Sequence, residues 1–439
     1  MRLRKPAWLV VLIVLSLAGC QGLGLSGGTP VPATPSPETS GAPASESTPV
    51  SESTRMALMT PQPAGMVTLR VWLPAEFDPD SGTPAGNLLK ARLAQFSVEN
   101  PGVSIEVRLK ALEGAGGLLE SLVTTSAAAP LALPDLIALP RPLLESAALK
   151  GLIYPYDQLS LAQVGEDWYP YAQQLAYLQT TVFGLPFAGD ALALTYRPAA
   201  MSAPADWGSL LSSQAVLVFP AADPNAYLTL ALYLAQGGEL QDEQGRPLLE
   251  EGPLLGVLEY YQQAAQVNLM PFWLTQSETD DQAWATFTSE QNALLVTWLT
   301  HHLREGRTAS GLALAPLPAW EGSNFTLATG WNWALASPDP LRRELGARLA
   351  EYLVDDTFLA EWTQTAGYLP TRSAALDGWN DGDLRAALAQ IASSAQLAPP
   401  TDVLTSLGPL LEQATVTVLK AENTPSAAVQ AALEQLYAP

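Results

Sequence analysis

A strand, a helix and a second strand in succession constrain this chain more than any other feature. Residues 67–73 alternate apolar and polar side chains and are rich in β-formers, which predicts a strand. Leu89, Leu93 and Phe96 then recur at i, i+4 and i+7 with Lys90, Arg92 and Gln95 between them, an amphipathic helix. Asn100-Pro101-Gly102 ends it, and Val103, Ile105, Val107 and Leu109 alternate with polar residues in a second strand. A βαβ unit has a right-handed crossover and must bury both faces of its sheet. Further strands are predicted at 135–139, 191–196, 215–219, 293–298, 312–317 and 331–336, separated by helical stretches. The pattern is that of an α/β protein with mostly parallel sheets. At 439 residues and 48% hydrophobic content the chain can build two cores, hence two lobes or domains.

What precedes residue 67 is of another kind. Arg2, Arg4 and Lys5 lead into an unbroken apolar stretch from Ala7 to Leu15, and Leu17-Ala18-Gly19-Cys20 follows. This is the layout of a secretory leader, too short for a spanning helix. Cys20 is the single cysteine of the chain. The Leu-Ala-Gly-Cys ending resembles a bacterial lipobox, which implies cleavage after residue 19 and lipidation of Cys20. An ordinary signal peptide with a chance cysteine is the alternative. Residues 22–65 are rich in Ser, Thr, Pro, Ala and Gly and carry no apolar periodicity, so they read as a disordered spacer. A flexible segment of ~46 residues reaches about 35–40 Å.

Removing the three basic leader residues from the 21 Lys+Arg leaves 18 against 43 Asp+Glu, a formal charge of −25. Such a surface repels phosphate backbones, which excludes nucleic-acid binding, and it opposes docking on anionic lipid. His301 and His302 are adjacent and diverge by about 100° on a helix, so they do not converge on one metal. No second cysteine exists for a thiolate site or a disulfide. Gly-x-Ser-x-Gly, phosphate-loop and calcium-loop patterns are missing from the sequence. No catalytic residue, metal or cofactor is expected.

From Thr68 to about Leu376 the order of short motifs resembles the extracellular solute-binding proteins of ABC importers (family 1), in the branch related to maltodextrin-binding protein. The motifs are Leu69-Arg70-Val71-Trp72 running to Glu76, Asn100-Pro101-Gly102-Val103, Pro134-Asp135-Leu136-Ile137, and Phe183-Gly184-Leu185-Pro186 before Asp190 and Thr195-Tyr196. Gln236-Gly237-Gly238-Glu239-Leu240 with Gly245-Arg246-Pro247, Glu290-Gln291-Asn292-Ala293, Gly330-Trp331, and Gly367-Tyr368-Leu369-Pro370 with Arg372 complete the set. Leu139-Pro140-Arg141-Pro142 departs from the aromatic-acid cluster of maltodextrin binders, so that branch's ligand preference does not transfer directly.

The resemblance implies a two-lobed periplasmic-binding-protein-like fold (type II) with a hinge and an interlobe cleft. Lobe I is expected at 67–190 with about 311–361, and lobe II at about 191–310 with about 362–439. Ligand would be held at the strand ends facing the cleft. The candidates are Trp72, Glu76, Arg141, Asp190, Asn225, Tyr227, Trp298, Trp331, Trp333 and Tyr368, the aromatics also being candidates for core, Arg141 for a helix cap or a surface pair, and Asp190 for a hinge residue that caps nearby backbone amides. The implied function is a monomeric, lipid-anchored binding protein that captures a sugar or oligosaccharide by cleft closure and hands it to ABC permease subunits, facing the extracellular or periplasmic side. A glycosidase-like enzyme with two carboxylates about 5–10 Å apart is the rival from another class, and a sensor or adhesin lipoprotein is the third.

Overall fold

The computed structural model describes residues 65–438 except 157, 158, 160–166, 290, 291, 307–310 and 323. The leader, Cys20 and all but the end of the spacer lie outside the described residues, as do Glu290 and Gln291. The strands are β1 Val67–Pro74, β2 Val103–Lys110, β3 Leu136–Pro140, β4 Tyr177–Leu178, β5 Thr181–Val182, β6 Leu185–Tyr196, β7 Leu217–Val218, β8 Leu294–Trp298, β9 Ala313–Ala315, β10 Thr326–Leu335 and β11 Ala395–Leu397. Nine of them form one sheet in the order β2-β1-β3-β10-β6-β8-β7, with β9 on β6 and β11 on β10; β4 and β5 form a separate pair.

The βαβ unit forms as its pattern requires. β1 and β2 pair in parallel from Val67↔Val103 to Pro74↔Lys110. The intervening helix, Pro84–Glu99, starts at an N-cap where Thr83 accepts from the Gly86 amide, with Pro84 in the first helical position. It buries Leu89, Leu93 and Phe96 against the sheet side. Asp135, just before β3, is fully buried; it accepts the Arg70 amide at 2.8 Å and two Arg342 bonds at 2.7 and 2.6 Å. That ties the helix Pro340–Leu353 across β1 and β3.

The sheet is more mixed than expected. β1, β2 and β3 are parallel, as are β7 and β8, but β10 runs antiparallel to β3 and β6, and β6 antiparallel to β8 and β9. The reason lies in two hydrophobic cores. One is built on β1, β2 and β3, the other on β7, β8 and the helices Tyr227–Ala235, Glu251–Gln266 and Thr401–Leu419. β6 enters the first core with Leu185, Phe187 and Ala188 and the second with Leu192 and Leu194. β10 returns, with Leu327 in the second core and Trp333, Ala334 and Leu335 in the first. A strand that returns beside the one that left must run against it.

The lobes also divide the chain differently from the expectation. Leu317, Phe325 and Leu327 pack with the second core, although 311–361 was assigned to lobe I. Trp362, Tyr368, Leu376 and Ile391 pack with the first, although 362–439 was assigned to lobe II. The helices between 340 and 394 cover the first lobe's sheet, and the chain rejoins the second lobe only after β11, with Thr401–Leu419 and Pro425–Leu436.

Candidate functional site

The crossing between lobes falls at Asp190, halfway along β6 and opposite Thr329 of β10. Gly189 beside it leaves room for Tyr171: an added Cβ would stand 2.1 Å from the tyrosine oxygen. The Asp190 carboxylate accepts the Thr300 amide at 3.1 Å, the Thr300 hydroxyl at 2.7 Å and the Ala191 amide at 2.9 Å. It therefore holds the start of the short helix Leu299–Arg304. That helix continues from β8 of the second lobe yet buries Leu299 and Leu303 in the first core. Its two histidines part: His301 Nε2 meets Asp281 at 2.8 Å, and His302 Nδ1 meets Thr195 Oγ1 at 3.1 Å. Burial holds His302 neutral, with its pKa lowered to about 4.

Arg304, the last residue of that helix, reaches the first lobe. Its guanidinium donates to Glu76 at 2.9 Å and to the Ala366 carbonyl at 3.1 Å, and lies 4.4 Å from the centre of the Tyr368 ring. Tyr368 donates its hydroxyl to the same Glu76. Gly367, at φ 74°, ends the helix Asp356–Ala366 and turns Tyr368 inward; a Cβ there would meet Arg304 Cγ at 2.6 Å. Beneath this group lies an aromatic cluster. Phe77 meets Trp331 edge-on at 4.8 Å, Phe187 stacks on Trp333 at 4.4 Å, and Trp362 stacks on Tyr368 at 5.9 Å.

The second lobe presents a smaller aromatic corner. Tyr227, opening the helix after β7, meets Trp298 at the end of β8 edge-to-face at 5.1 Å, and both are only half-buried. Trp298 pairs with Leu192, two residues past the crossing. Asp223 accepts the Asn225 and Tyr227 amides at 3.0 and 3.1 Å, and Asp280 accepts the Thr297 hydroxyl at 2.8 Å. Burial, then the charges of Asp223 and Asp280, push the Tyr227 hydroxyl up to about 12. It stays a neutral donor.

Of the residues singled out by sequence, Glu76, Trp331 and Tyr368 gather on the first lobe, and Asn225, Tyr227 and Trp298 on the second. Three others are used elsewhere. Trp72 is 2% exposed in the first core under the Lys110 ammonium. Trp333 is likewise 2% exposed. Arg141 donates to Glu145 at 2.7 Å and to the carbonyls of Gln174, Leu175 and Tyr177, the last turn of the helix Pro170–Ala176 and the residue after it. Its Nε and Nη1 are thus both used inside the fold. Sequence reasoning missed Arg304, Phe77, Trp362 and Thr300. Only the Phe-x-x-x-Trp spacing within an amphipathic helix hinted at Trp362.

Asp190 caps the start of the helix Leu299–Arg304, the bonding that its capping alternative expects. Burial raises its pKa from 3.8 to about 6 against the opposing Thr300 and Ala191 bonds and the Arg304 charge. The native state thus holds this proton where the unfolded chain has lost it, so the contribution to stability is full below pH 3.8 and fades as pH rises through about 6. The swing is at most about 3 kcal/mol. Asp190→Asn removes it. Relative to wild type, the variant should gain stability between pH 4 and pH 7 in urea melts; parallel pH profiles would contradict this.

Among the described residues no helix is long and apolar enough to cross a membrane, and no group of His, Cys, Asp or Glu is arranged to hold a metal. The architecture is similar to that of several solved proteins. The sugar-binding protein MalE from Xanthomonas citri superposes with a TM-score of 0.71 at 19% identity, over 84% of this chain and 96% of that one. The cyclic α-maltosyl-1,6-maltose binding protein from Arthrobacter globiformis gives 0.69 at 14% identity, over 85% and 99%. The GacH receptor of Streptomyces glaucescens, solved unliganded and with acarbose, gives 0.61 at 18%, over 84% and 98%. No curated protein matches by sequence. The family profile of bacterial extracellular solute-binding proteins matches residues 91–390, which span most of both lobes. With two cores joined by crossing strands and that match over more than half its length, the chain belongs to the bacterial extracellular solute-binding proteins.

Proposed function

We propose that this protein captures a carbohydrate between its lobes, without chemistry, and delivers it to an ABC importer while tethered to the membrane through lipidated Cys20. The reading is carried by the Tyr227–Trp298 corner, half-buried beside the crossing of the lobes in a solute-binding chain. Aromatic faces suit the apolar faces of sugar rings, and such stacks contribute about 0.5–1.5 kcal/mol beyond area burial. Glu76, Arg304 and Tyr368 supply hydrogen bonds from the other lobe, and Asn225 and Trp331 complete the candidate set. Similar proteins have been solved with maltose, maltotetraose and acarbose bound, which favours an α-glucan or related sugar. The tether follows from the leader ending in Leu17-Ala18-Gly19-Cys20, and the spacer up to residue 66 gives the lobes reach to a permease.

The test is a thermal-shift screen of sugars, polyols and amino acids, followed by calorimetry on Trp298→Ala. A sugar hit is expected, with the variant losing about 2–4 kcal/mol of affinity as for a central aromatic anchor. A hit confined to amino acids, or a Trp298→Ala variant that binds as wild type does, would defeat the reading.

A further inference from the structure

β2 is the last strand at one end of the nine-stranded sheet. Its inner side pairs with β1, residue for residue from Val103 to Lys110 and without a register shift. The Val67 amide donates to the Gly102 carbonyl at 2.8 Å. A parallel ladder alternates from there, so the even-numbered residues of β2 bond to β1. Ile105, Val107 and Leu109 turn their N–H and C=O groups outward, and none of these groups is bonded elsewhere among the described residues. Folded proteins usually shield such an edge with proline, a bulge, a short strand or lysines along it. β2 runs for eight residues with no proline and no shift, and its one lysine, Lys110, stands at the end.

The side chains indicate what fits this edge. Glu106 and Arg108 share one face of the strand, joined at 2.8 Å, with both side chains nearly half exposed. Ile105 and Val107 are half-buried on the other face, and Leu109 beside them is exposed. A two-fold axis relates identical paired strands only when they run antiparallel. An axis at Val107 sets Glu106 opposite Arg108 of the second copy, twice, and Ile105 opposite its Leu109, twice. The outward groups then bond in that same register: Val107 exchanges both its bonds with its own copy, and Ile105 with Leu109. An axis at Leu109 would instead bring Arg108 against Lys110, and one at Glu106 would oppose like charges. An axis at Ile105 would leave both charges without an opposite. β2 carries one acid against two bases, so the repulsion between two acidic proteins is not concentrated at this contact.

We propose that this edge docks a second copy of the chain, β2 pairing antiparallel with β2 about a two-fold axis at Val107, so that one sheet runs through two first lobes. The pair departs from the monomer that the family resemblance implies, and it does not rest on the carbohydrate reading. In the sheet order β2 is four strands from β6, about 19 Å, which leaves the lobe crossing free.

The mature chain from residue 20 with Cys20→Ser tests it, because that protein has neither acyl chains nor another thiol. Sedimentation equilibrium should give it twice the chain mass. Arg108→Glu opposes like charges twice and is expected to weaken self-association at least tenfold. Adding Glu106→Arg to it should restore the pair. Both residues are exposed, so the charge variants should melt as the parent does. Val107→Cys should oxidise to a disulfide-linked dimer, since directly opposed residues of this kind stand about 5.5 Å apart. Ile105→Cys should not, its copy lying about 14 Å away. A parent that stays monomeric overturns the proposal and leaves the edge to a strand from another protein. Charge variants that all associate as the parent does, or cross-linking as complete at Ile105→Cys as at Val107→Cys, overturn it too.

Discussion

Arg141→Ala is expected to destabilise the fold by about 3–5 kcal/mol while leaving ligand affinity unchanged. Arg141 and Glu145 are one helical turn apart, and their side chains are only 11% and 10% exposed. Removing the guanidinium leaves the Glu145 carboxylate buried without its countercharge, which is the costly way to break such a pair. It also strips donors from three carbonyls at the end of the helix Pro170–Ala176, a helix that packs against β10 and β11. Replacing both partners with apolar residues, Arg141→Met with Glu145→Leu, should recover most of the loss. Urea midpoints measure the first effect. Calorimetry with the sugar identified in the screen measures the second. A variant that melts as wild type does but binds poorly would return Arg141 to the binding site.

Trp333→Ala should cost a similar amount, about 3–5 kcal/mol, through the cavity left in the first core. Its indole stacks on Phe187 with rings inclined by 21°. Its carbonyl accepts the Tyr156 hydroxyl at 2.9 Å and would still do so. Trp333→Phe is expected to cost much less, because it keeps an aromatic ring and removes an Nε1 that is buried without a partner. Neither change should alter sugar affinity by more than a factor of two once folding is complete. An affinity loss in Trp333→Phe larger than its stability loss would show that the ring touches ligand.

Both predictions concern residues that sequence reasoning could place but not interpret. Trp331 and Trp333, two apart on β10, meet one aromatic cluster, through Phe77 and Phe187, despite a register shift between Trp331 and Asn332. Whether that face looked into a core or a cleft depended on Phe77, some 250 residues earlier. Arg141 was legible as the first residue after β3. Its partners in the helix Pro170–Ala176 lie more than thirty residues on and left no local signal. Arg304 carried none either, since its bond to Glu76 spans 228 residues.

Local chemistry determined the elements. The alternation in β1 and β2, the Thr83 cap with Pro84 and the glycine at 367 each act within a few residues, so the chain declares them in order. The crossing at Asp190 was also legible, as the end of the Phe183–Pro186 approach to a strand. Tertiary structure decided which lobe claimed residues 311–395, because β10 begins in one core and ends in the other and the helices after it cover the first. It also decided which candidates face ligand. Burial and pairing are properties of what packs opposite a side chain, and in a chain that crosses between two lobes the opposite residue is seldom nearby in sequence.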